Sequence, residues 1–478
     1  MSYQDVNLFI DGEWRRGALN QTLDVVNPAT GERIGSVARA ETQDVESAIQ
    51  AAQKGFRDWS GISAFDRAKK MRRAAELLRE RAEPIARLLT TEEGKPLAEA
   101  RLEVNSCADL IEWFADEARR VYGRVIPGRN AAVLQTSLKE PVGPAIGFTP
   151  WNFPVSQVTR KLAPALAAGC SIIIKAPEET PASPAELIQC FHDAGVPAGT
   201  IGLLFGVPAE ISEYAIPHAG IRKVSFTGSV PVGKQLAAMA SRHMKRVTME
   251  LGGHAPVVIC DDADLESAAS LLAAAKFRNA GQVCIAPTRF LIDQRVYGAF
   301  CDKFGSKAAA LKVGDGLEDG TTMGPLINER RLQSVAHLVE DAVGKGARVI
   351  TGGKRIVGKG YFFEPTVLAD VTPEMAAMND EPFGPVALLM PFKDLNDALN
   401  EANRLPFGLA SYAWTRDSAK ASTLFRGIEA GMVTINHLGL ALPETPYGGV
   451  RDSGIGSEGG PEAVEAYLNT KFVSHLNG

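Results

Sequence analysis

Residues 142–175 read VGPAIGFTPWNFPVSQVTRKLAPALAAGCSIIIK. A short apolar run (142–148) ends in the polar break Thr149-Pro-Trp-Asn-Phe-Pro154. A helical pattern over 158–168 follows, and a second apolar run (171–175) closes the unit. Strand, helix and strand in that order predict a parallel sheet with helices on its faces. The alternation continues downstream. Further strands are expected at 201–206, 222–226, 247–251 and 256–260, with a helix at 184–194. A second alternating region, from about 261 to 435, ends in a strand-like stretch at 431–436. Upstream, Ala68, Met71, Ala75, Leu78, Ala82, Ile85 and Leu89 step by three and four, which predicts a helix over 64–93 that restarts at Pro84. Residues 466–476 read as a strand, with 121–138 a candidate to pair with it. The fold class is therefore α/β. Ligands of such sheets bind at the carboxyl ends of the strands, so the residues just after each strand matter most.

The bulk properties narrow the functions. At 478 residues the chain can bury ordinary cores without disulfides or metals. A formal net charge of −5 argues against nucleic acid as a partner. The six cysteines are scattered, with no CxxC pair and no zinc-like spacing, so no metal site is expected and a reducing compartment is. The start of the chain shows no signal peptide, and no apolar stretch approaches a membrane span. A cytoplasmic protein with no membrane partner is the expectation.

Several polar breaks carry chemistry. In Lys276-Phe-Arg-Asn-Ala-Gly-Gln-Val-Cys284 the cysteine follows a Gly-containing break, which places it at a loop or helix start. Backbone N–H groups there would lower a thiol pKa and hold an oxyanion; the alternative is a buried core cysteine. Glu250, in Thr248-Met-Glu-Leu-Gly-Gly-His254, closes an apolar strand. It is either a general base or a structural anion, and His254 beside it reads as structural. Asn152, held between Trp151 and Phe153-Pro154, is an oxyanion donor or a turn former. Ser225-Phe-Thr-Gly-Ser229 joins a strand to a helix, a phosphate-friendly site without the common dinucleotide glycine spacing. Lys175-Ala-Pro-Glu178 ends another strand, where it suits either ribose recognition or a surface ion pair.

Together with Glu381-Pro-Phe-Gly-Pro and Pro446-Tyr-Gly-Gly, these motifs stand in an order that resembles the aldehyde dehydrogenase superfamily across essentially the whole chain. The resemblance implies three parts. These are a Rossmann-like NAD(P)-binding domain (1–120 and 141–252), an α/β catalytic domain (253–450) and a small β oligomerisation element (121–140 and 451–478). It implies Cys284 as nucleophile, Glu250 as general base, Asn152 and the Cys284 amide as oxyanion hole, and Glu458 as an auxiliary acid. It also implies cofactor contacts from Thr149, Pro150, Trp151, Lys175, Glu178, Thr227, Gly228, Ser229, Leu251, Glu381 and Phe383. The expected reaction is aldehyde oxidation through a thioester. Glu250 disfavours acyl transfer to coenzyme A, because relatives of that kind typically lack this glutamate; a non-catalytic protein that kept the fold is disfavoured by the complete set.

For the cofactor, Glu178 favours NAD, while Lys175 leaves NADP possible. Arg160 and Arg278 resemble the carboxylate-binding arginines of succinate-semialdehyde dehydrogenases, and two guanidiniums suit a distal carboxylate. The serine those enzymes carry before their last glycine motif is absent from Ala441-Leu-Pro-Glu-Thr445. Overall the chain looks closer to α-ketoglutaric semialdehyde dehydrogenases, with Gln157 available to a keto or hydroxyl group. The expected substrate is a dicarboxylic semialdehyde of about four or five carbons; a medium-chain or aromatic aldehyde is the alternative. A homodimer or homotetramer is expected.

Overall fold

The structure is a computed structural model, and it describes residues 3–476. Two large sheets organise the chain. The first runs, across the sheet, Glu13–Arg15, Leu8–Ile10, Ile201–Leu204, Ile172–Lys175, Ala145–Phe148, Lys223–Gly228, Arg246–Leu251, Gly454–Ile455. Its five central strands are parallel, and both edges are antiparallel. Three of those strands, Ala145–Phe148, Ile172–Lys175 and Ile201–Leu204, are buried throughout, as strands covered on both faces must be. In chain order the strands first build outward on one side of Ala145–Phe148, then resume on its other side with Lys223–Gly228. That reversal is a topological switch point, and it opens a crevice at the carboxyl ends of these two strands.

The second sheet runs Arg348–Thr351, Thr366–Ala369, Val386–Phe392, Arg289–Asp293, Pro256–Ile259, Ala410–Trp414, Met432–Ile435, parallel except at the first strand. Each large sheet has its own apolar core. The helical stretch over 64–93 is two helices, Ala64–Glu80 and Ala82–Glu93, broken at Arg81, with Pro84 in the first turn of the second. There proline's missing N–H costs nothing.

A three-stranded antiparallel sheet joins Arg124–Ile126, Val133–Pro141 and Leu468–Leu476. The sequence expectation for 451–478 needs correcting here. Only its last part joins this small sheet. Gly454–Ile455 pairs instead with Met249 and Glu250 at the edge of the first sheet. Gly454 has φ +148, and a Cβ there would lie 2.1 Å from the Met249 carbonyl oxygen, so a side chain would block the pairing. Glu458 therefore sits beside the first sheet, not in the bridging element.

Candidate active site

The crevice at the switch point leads into a cavity of about 320 Å³ lined by residues of both sheets. From the first sheet come Trp151, Asn152, Ser229 and Glu250; from the second come Cys284 and Glu381. Two elements built by local backbone geometry bring the thiol and the amide together.

The first is the turn after helix Leu265–Phe277. Asn279, Ala280 and Gly281 all have positive φ, +49°, +51° and +73°. Asparagine and glycine tolerate this region; alanine does not, and such strain costs about 1–3 kcal/mol. A Cβ on Gly281 would meet the Gly384 carbonyl oxygen at 2.1 Å, so the turn packs directly on the Pro382–Pro385 segment. The second element is the start of helix Pro154–Ala168. Its first N–H groups, Val155 and Ser156, donate to Glu103 Oε1 at 3.1 Å each. Glu103 is also paired with the buried Lys95 (2.7 Å), and Lys95 Nζ donates to the Asn152 carbonyl at 2.8 Å. Asn279 Nδ2 donates to the same carbonyl at 2.9 Å. Asn152 is thus fixed through its backbone. Its Nδ2 donates one hydrogen to the Gln282 carbonyl (2.9 Å), which leaves the second for the cavity. The Cys284 N–H has no protein acceptor among the described residues. Two free donors beside one sulfur can hold an oxyanion.

Cys284 is half-buried in a turn, and its Sγ lies 3.2 Å from the Tyr447 hydroxyl. Contrary to the sequence expectation, its thiol is not acidified. Burial, and next Glu250, push it up to about 12. Desolvation outweighs whatever the local amides contribute. Burial and the neighbouring thiol also raise Tyr447 well above the ordinary phenol range, so the phenol keeps its proton and donates to a thiolate.

Glu250 closes strand Arg246–Leu251. It is buried, and neither carboxylate oxygen has a hydrogen-bond partner. A structural anion would be bonded to amides, so the anchoring alternative fails. Burial, then the neighbouring Glu458, raise its pKa well above the carboxylate range; Lys161 and Arg160 oppose this. Glu458 is fully engaged: Oε1 accepts from Lys161 Nζ (2.6 Å) and Ser225 Oγ (3.0 Å), Oε2 from Thr227 Oγ1 (3.3 Å). Arg160 is buried with its guanidinium 4.3 Å from the Tyr447 ring centroid. It donates to the carbonyls of Ala441 (3.1 Å) and Glu458 (3.4 Å). The other deeply buried arginine, Arg289, is paired with Glu401. Among the described residues Arg160 has no carboxylate within ion-pair distance.

The cofactor side of the cavity is equally specific. Ser229 precedes helix Val230–Ser241 and leaves its hydroxyl unused in capping, so both it and the helix N-terminus are available to a phosphate. Gly233 on that helix lies against Leu251, where a Cβ would come within 2.2 Å, so glycine lets helix and strand close up. Thr149 Oγ1 is buried without a partner. Lys175 and Glu178 form a close ion pair, and Glu178 also accepts from the Gly206 N–H (3.2 Å). Glu381 lies against Gly252, and burial pushes its carboxyl up to about 8. Phe383 holds φ +42 and meets Trp151 edge to face at 5.7 Å. Unpartnered hydroxyls, an open helix terminus and acids at either end fit a nicotinamide dinucleotide.

Pro150, Gln157, Thr227, Gly228 and Leu251 also line the cavity, and Gln157 Oε1 is unpartnered. Arg278 is exposed, with its guanidinium 5.1 Å from the Phe153 ring centroid, and three residues of positive φ stand between it and Cys284. His254 is structural, spanning Thr288 Oγ1 (2.7 Å) and the Ala377 carbonyl (2.9 Å). Sequence reasoning does not single out Tyr447 or Lys276. Tyr447 lies within the Pro446-Tyr-Gly-Gly motif, which is the available signal; Lys276 looks like an ordinary helix-end lysine. No group of residues that could hold a metal ion occurs among the described residues, and no helix there is long and apolar enough to cross a membrane.

Comparison with known proteins gives the class of this site. The chain belongs to the aldehyde dehydrogenase family, whose model matches residues 14–473. It is an NAD(P)-dependent oxidoreductase of that family. The chain is 49% identical to the 4-(hydroxymethyl)benzenesulfonate dehydrogenase of Comamonas testosteroni, over 99% of each chain. It is 43% identical to a glutarate-semialdehyde dehydrogenase of Pseudomonas putida, again over 99% of each. Among solved structures, an Escherichia coli NADP-dependent enzyme matches with a TM-score of 0.97 at 40% identity, covering 98% of both chains. The NAD+ complex of an aldehyde dehydrogenase from Bacillus cereus matches with 0.97 at 33% identity, covering 99% of this chain and 97% of that one.

Proposed function

We propose that the protein oxidises an aldehyde bearing a distal anionic group, a dicarboxylic semialdehyde of about four or five carbons, to the corresponding dicarboxylate. The observation that carries this reading is Arg160, a buried guanidinium without a carboxylate partner, packed on the tyrosine that touches the nucleophile. An unbalanced buried cation is costly, and an anionic substrate would balance it. The aromatic alternative keeps its place for a related reason: the benzenesulfonate relative acts on a compound whose sulfonate is also a distal anion.

The residues divide the reaction between them. Glu250, its oxygens free, accepts the Cys284 proton. The thiolate adds to the aldehyde carbon, and the new alkoxide is held by Asn152 Nδ2 and the Cys284 N–H. One such donor is worth about 2.7–4 kcal/mol. A nicotinamide dinucleotide, held by Ser229, Glu178, Glu381 and Phe383, would supply the hydride acceptor that the oxidation to a thioester requires. Glu250 first passes the Cys284 proton on toward Glu458 and then takes a second one from water; the hydroxide adds to the carbonyl carbon, the carbon–sulfur bond breaks with Cys284 leaving as thiolate, and the acid gives its proton to water and departs as the carboxylate. Tyr447 stabilises the departing thiolate. Glu458, with Lys161 and Thr227, is the proposed onward path for the Glu250 proton.

A panel of succinate, glutarate and α-ketoglutaric semialdehydes, a sulfonated benzaldehyde and propanal tests the substrate class. Arg160→Ala should raise KM for the anionic aldehydes about 10- to 100-fold, the worth of a hydrogen bond to a charged group, while leaving propanal within about threefold. Equal effects on both would refute carboxylate recognition. For the cofactor, the Glu178 carboxylate, which would accept from an adenosine ribose hydroxyl and repel a 2′-phosphate, supports NAD as the preferred form, with NADP tolerated through Lys175. The expected ratio of kcat/KM for NAD over NADP exceeds about ten, and a strong NADP preference would overturn it. A homodimer or homotetramer would bury the exposed Val125, Leu134, Leu138 and Phe472 of the small sheet.

A further inference from the structure

The Asn152 side chain is held by one bond only. Its Nδ2 donates to the Gln282 carbonyl, while its Oδ1 is buried without a partner. An amide with a single anchor can turn about it, so the free Nδ2 hydrogen keeps its aim only if the backbone of residue 152 is fixed. No backbone N–H among the described residues donates to the Asn152 carbonyl. Two side chains do so instead, Asn279 Nδ2 at 2.9 Å and Lys95 Nζ at 2.8 Å. A carbonyl has two lone pairs, and these donors use both. Lys95 is the charged one, and a charge-assisted bond is roughly twice as strong as a neutral one.

Lys95 comes from a distant part of the chain. It stands between helix Ala82–Glu93, which ends at Gly94 (φ +98), and helix Leu97–Glu117, which Pro96 precedes. A Cβ on Gly94 would meet Pro325 Cγ at 2.6 Å and Pro28 Cγ at 2.9 Å, so the junction is pressed tightly in place. The Lys95 side chain is wholly buried, and its ammonium has three neighbours. These are Glu103 Oε2 at 2.7 Å, the Asn152 carbonyl, and the Phe153 ring with its centroid 3.8 Å away. The other Glu103 oxygen takes the Val155 and Ser156 N–H groups. One ion pair thus grips the chain on both sides of Phe153. Apolar side chains of similar volume would stabilise a core as well as a buried ion pair does, so stability alone does not account for it.

We propose that Lys95 is a positioning residue for the oxyanion hole: its ammonium, braced by Glu103, fixes the Asn152 carbonyl so that the free Nδ2 hydrogen meets the alkoxide formed at Cys284. This rests on the reading of Asn152 as an oxyanion donor. Lys95 acts through the peptide of Asn152 and touches neither the sulfur nor the cavity, whose lining does not include it. Its contribution is therefore to the steps that pass through an oxyanion, and not to cofactor binding or to the reactivity of the thiol itself.

Single-turnover formation of NADH by the full-length protein, with glutarate semialdehyde and with propanal, tests this. Lys95→Met should slow it about 10- to 100-fold, as a misplacement of about 1 Å can. The loss should be alike for the two aldehydes, since the alkoxide forms at the aldehyde carbon whatever the tail. NADH affinity, and the rate at which iodoacetamide alkylates Cys284 without making an oxyanion, should stay within about threefold. The melting temperature should fall, because half of a buried ion pair is gone. Lys95→Met combined with Glu103→Gln leaves no buried charge unpaired and should turn over as slowly. A double-mutant cycle separates the readings. Asn152→Ala should slow NADH formation about 10²- to 10³-fold, and adding Lys95→Met to it should cost less than about twofold more. If Asn152→Ala turns over normally, the oxyanion reading of Asn152 fails. If Asn152→Ala is slow while Lys95→Met is not, or if the two losses multiply in full, the positioning role of Lys95 is refuted. Loss of NADH affinity or of alkylation alongside turnover would refute it too, by showing that Lys95 only holds the fold.

Discussion

Cys284→Ala should form NAD(P)H at less than about 10⁻⁴ of the wild-type rate while binding NADH and AMP with unchanged affinity. Losses of that order follow removal of a covalent nucleophile from an otherwise intact site. The reason is structural. Cys284 is the cavity's nucleophile, flanked by the free Asn152 hydrogen and the unpartnered Glu250 carboxylate, and no second thiol lines the cavity. The other five cysteines are buried elsewhere in the cores. Affinity should be retained because Ser229, Glu178, Glu381 and Trp151 owe nothing to the sulfur. Turnover near the wild-type rate, or loss of NADH binding along with activity, would show that the thiol is not the acyl carrier. The substitution removes one half-buried sulfur at a turn, so the fold should survive.

Glu250→Gln should split the reaction in time. With a saturating semialdehyde, rapid mixing should show at most one equivalent of NAD(P)H per subunit, then a steady state slowed by about 10²–10⁴-fold, the usual worth of a general base. The thioester should form more slowly, because Glu250 no longer takes the Cys284 proton, but once formed it should persist on Cys284 and be visible as an added acyl mass. The pH dependence carries a second signature. In the wild type Glu250 must be ionised to act, and burial beside Glu458 raises its pKa well above the carboxylate range. Deacylation should therefore climb with pH through that raised range, and the climb should vanish in Glu250→Gln. An unchanged steady-state pH profile in the variant would move the base elsewhere, with Glu458 the next acid in line. Because glutamine is isosteric and neither oxygen of Glu250 is hydrogen-bonded, the change should not destabilise the protein.

Much of this site is legible in the sequence. The strands at 145–148, 172–175, 201–204, 223–228, 246–251 and 256–259 begin and end within three residues of their sequence expectations, because apolar runs bounded by turn residues have few other places to go. Cys284 and Asn152 follow a helix or a strand at a polar break, and Glu250 lies at the carboxyl end of its strand, where side chains of an α/β sheet face its ligand. The departures have a common origin. The spacing of Arg278 suggests a side chain turned into the cavity, yet it is exposed against Phe153, beyond three consecutive positive φ values. Spacing arguments assume regular backbone, and this turn is not regular. Tyr447, 163 residues from the cysteine it touches, has no local signal beyond a motif. Lys161 and Lys276 look like helix-surface lysines in sequence, and only packing reveals that both are solvent-free.

Residue order alone thus dictates the alternating α/β architecture and the kinds of group that do the chemistry. Periodicity and turn residues are local properties, and thiol, carboxylate and amide chemistry belongs to the residues themselves. Tertiary structure decided which of these groups meet and in what state. It moved Gly454–Ile455 to the edge of the first sheet, so that Glu458 faces Glu250. It left Arg160 and Lys276 as buried cations without a carboxylate in ion-pair contact, and it raised the Cys284 thiol where the sequence suggested lowering it. The physical reason is that burial and the field of distant residues set the charge of a group, and neither is a function of its neighbours in the chain.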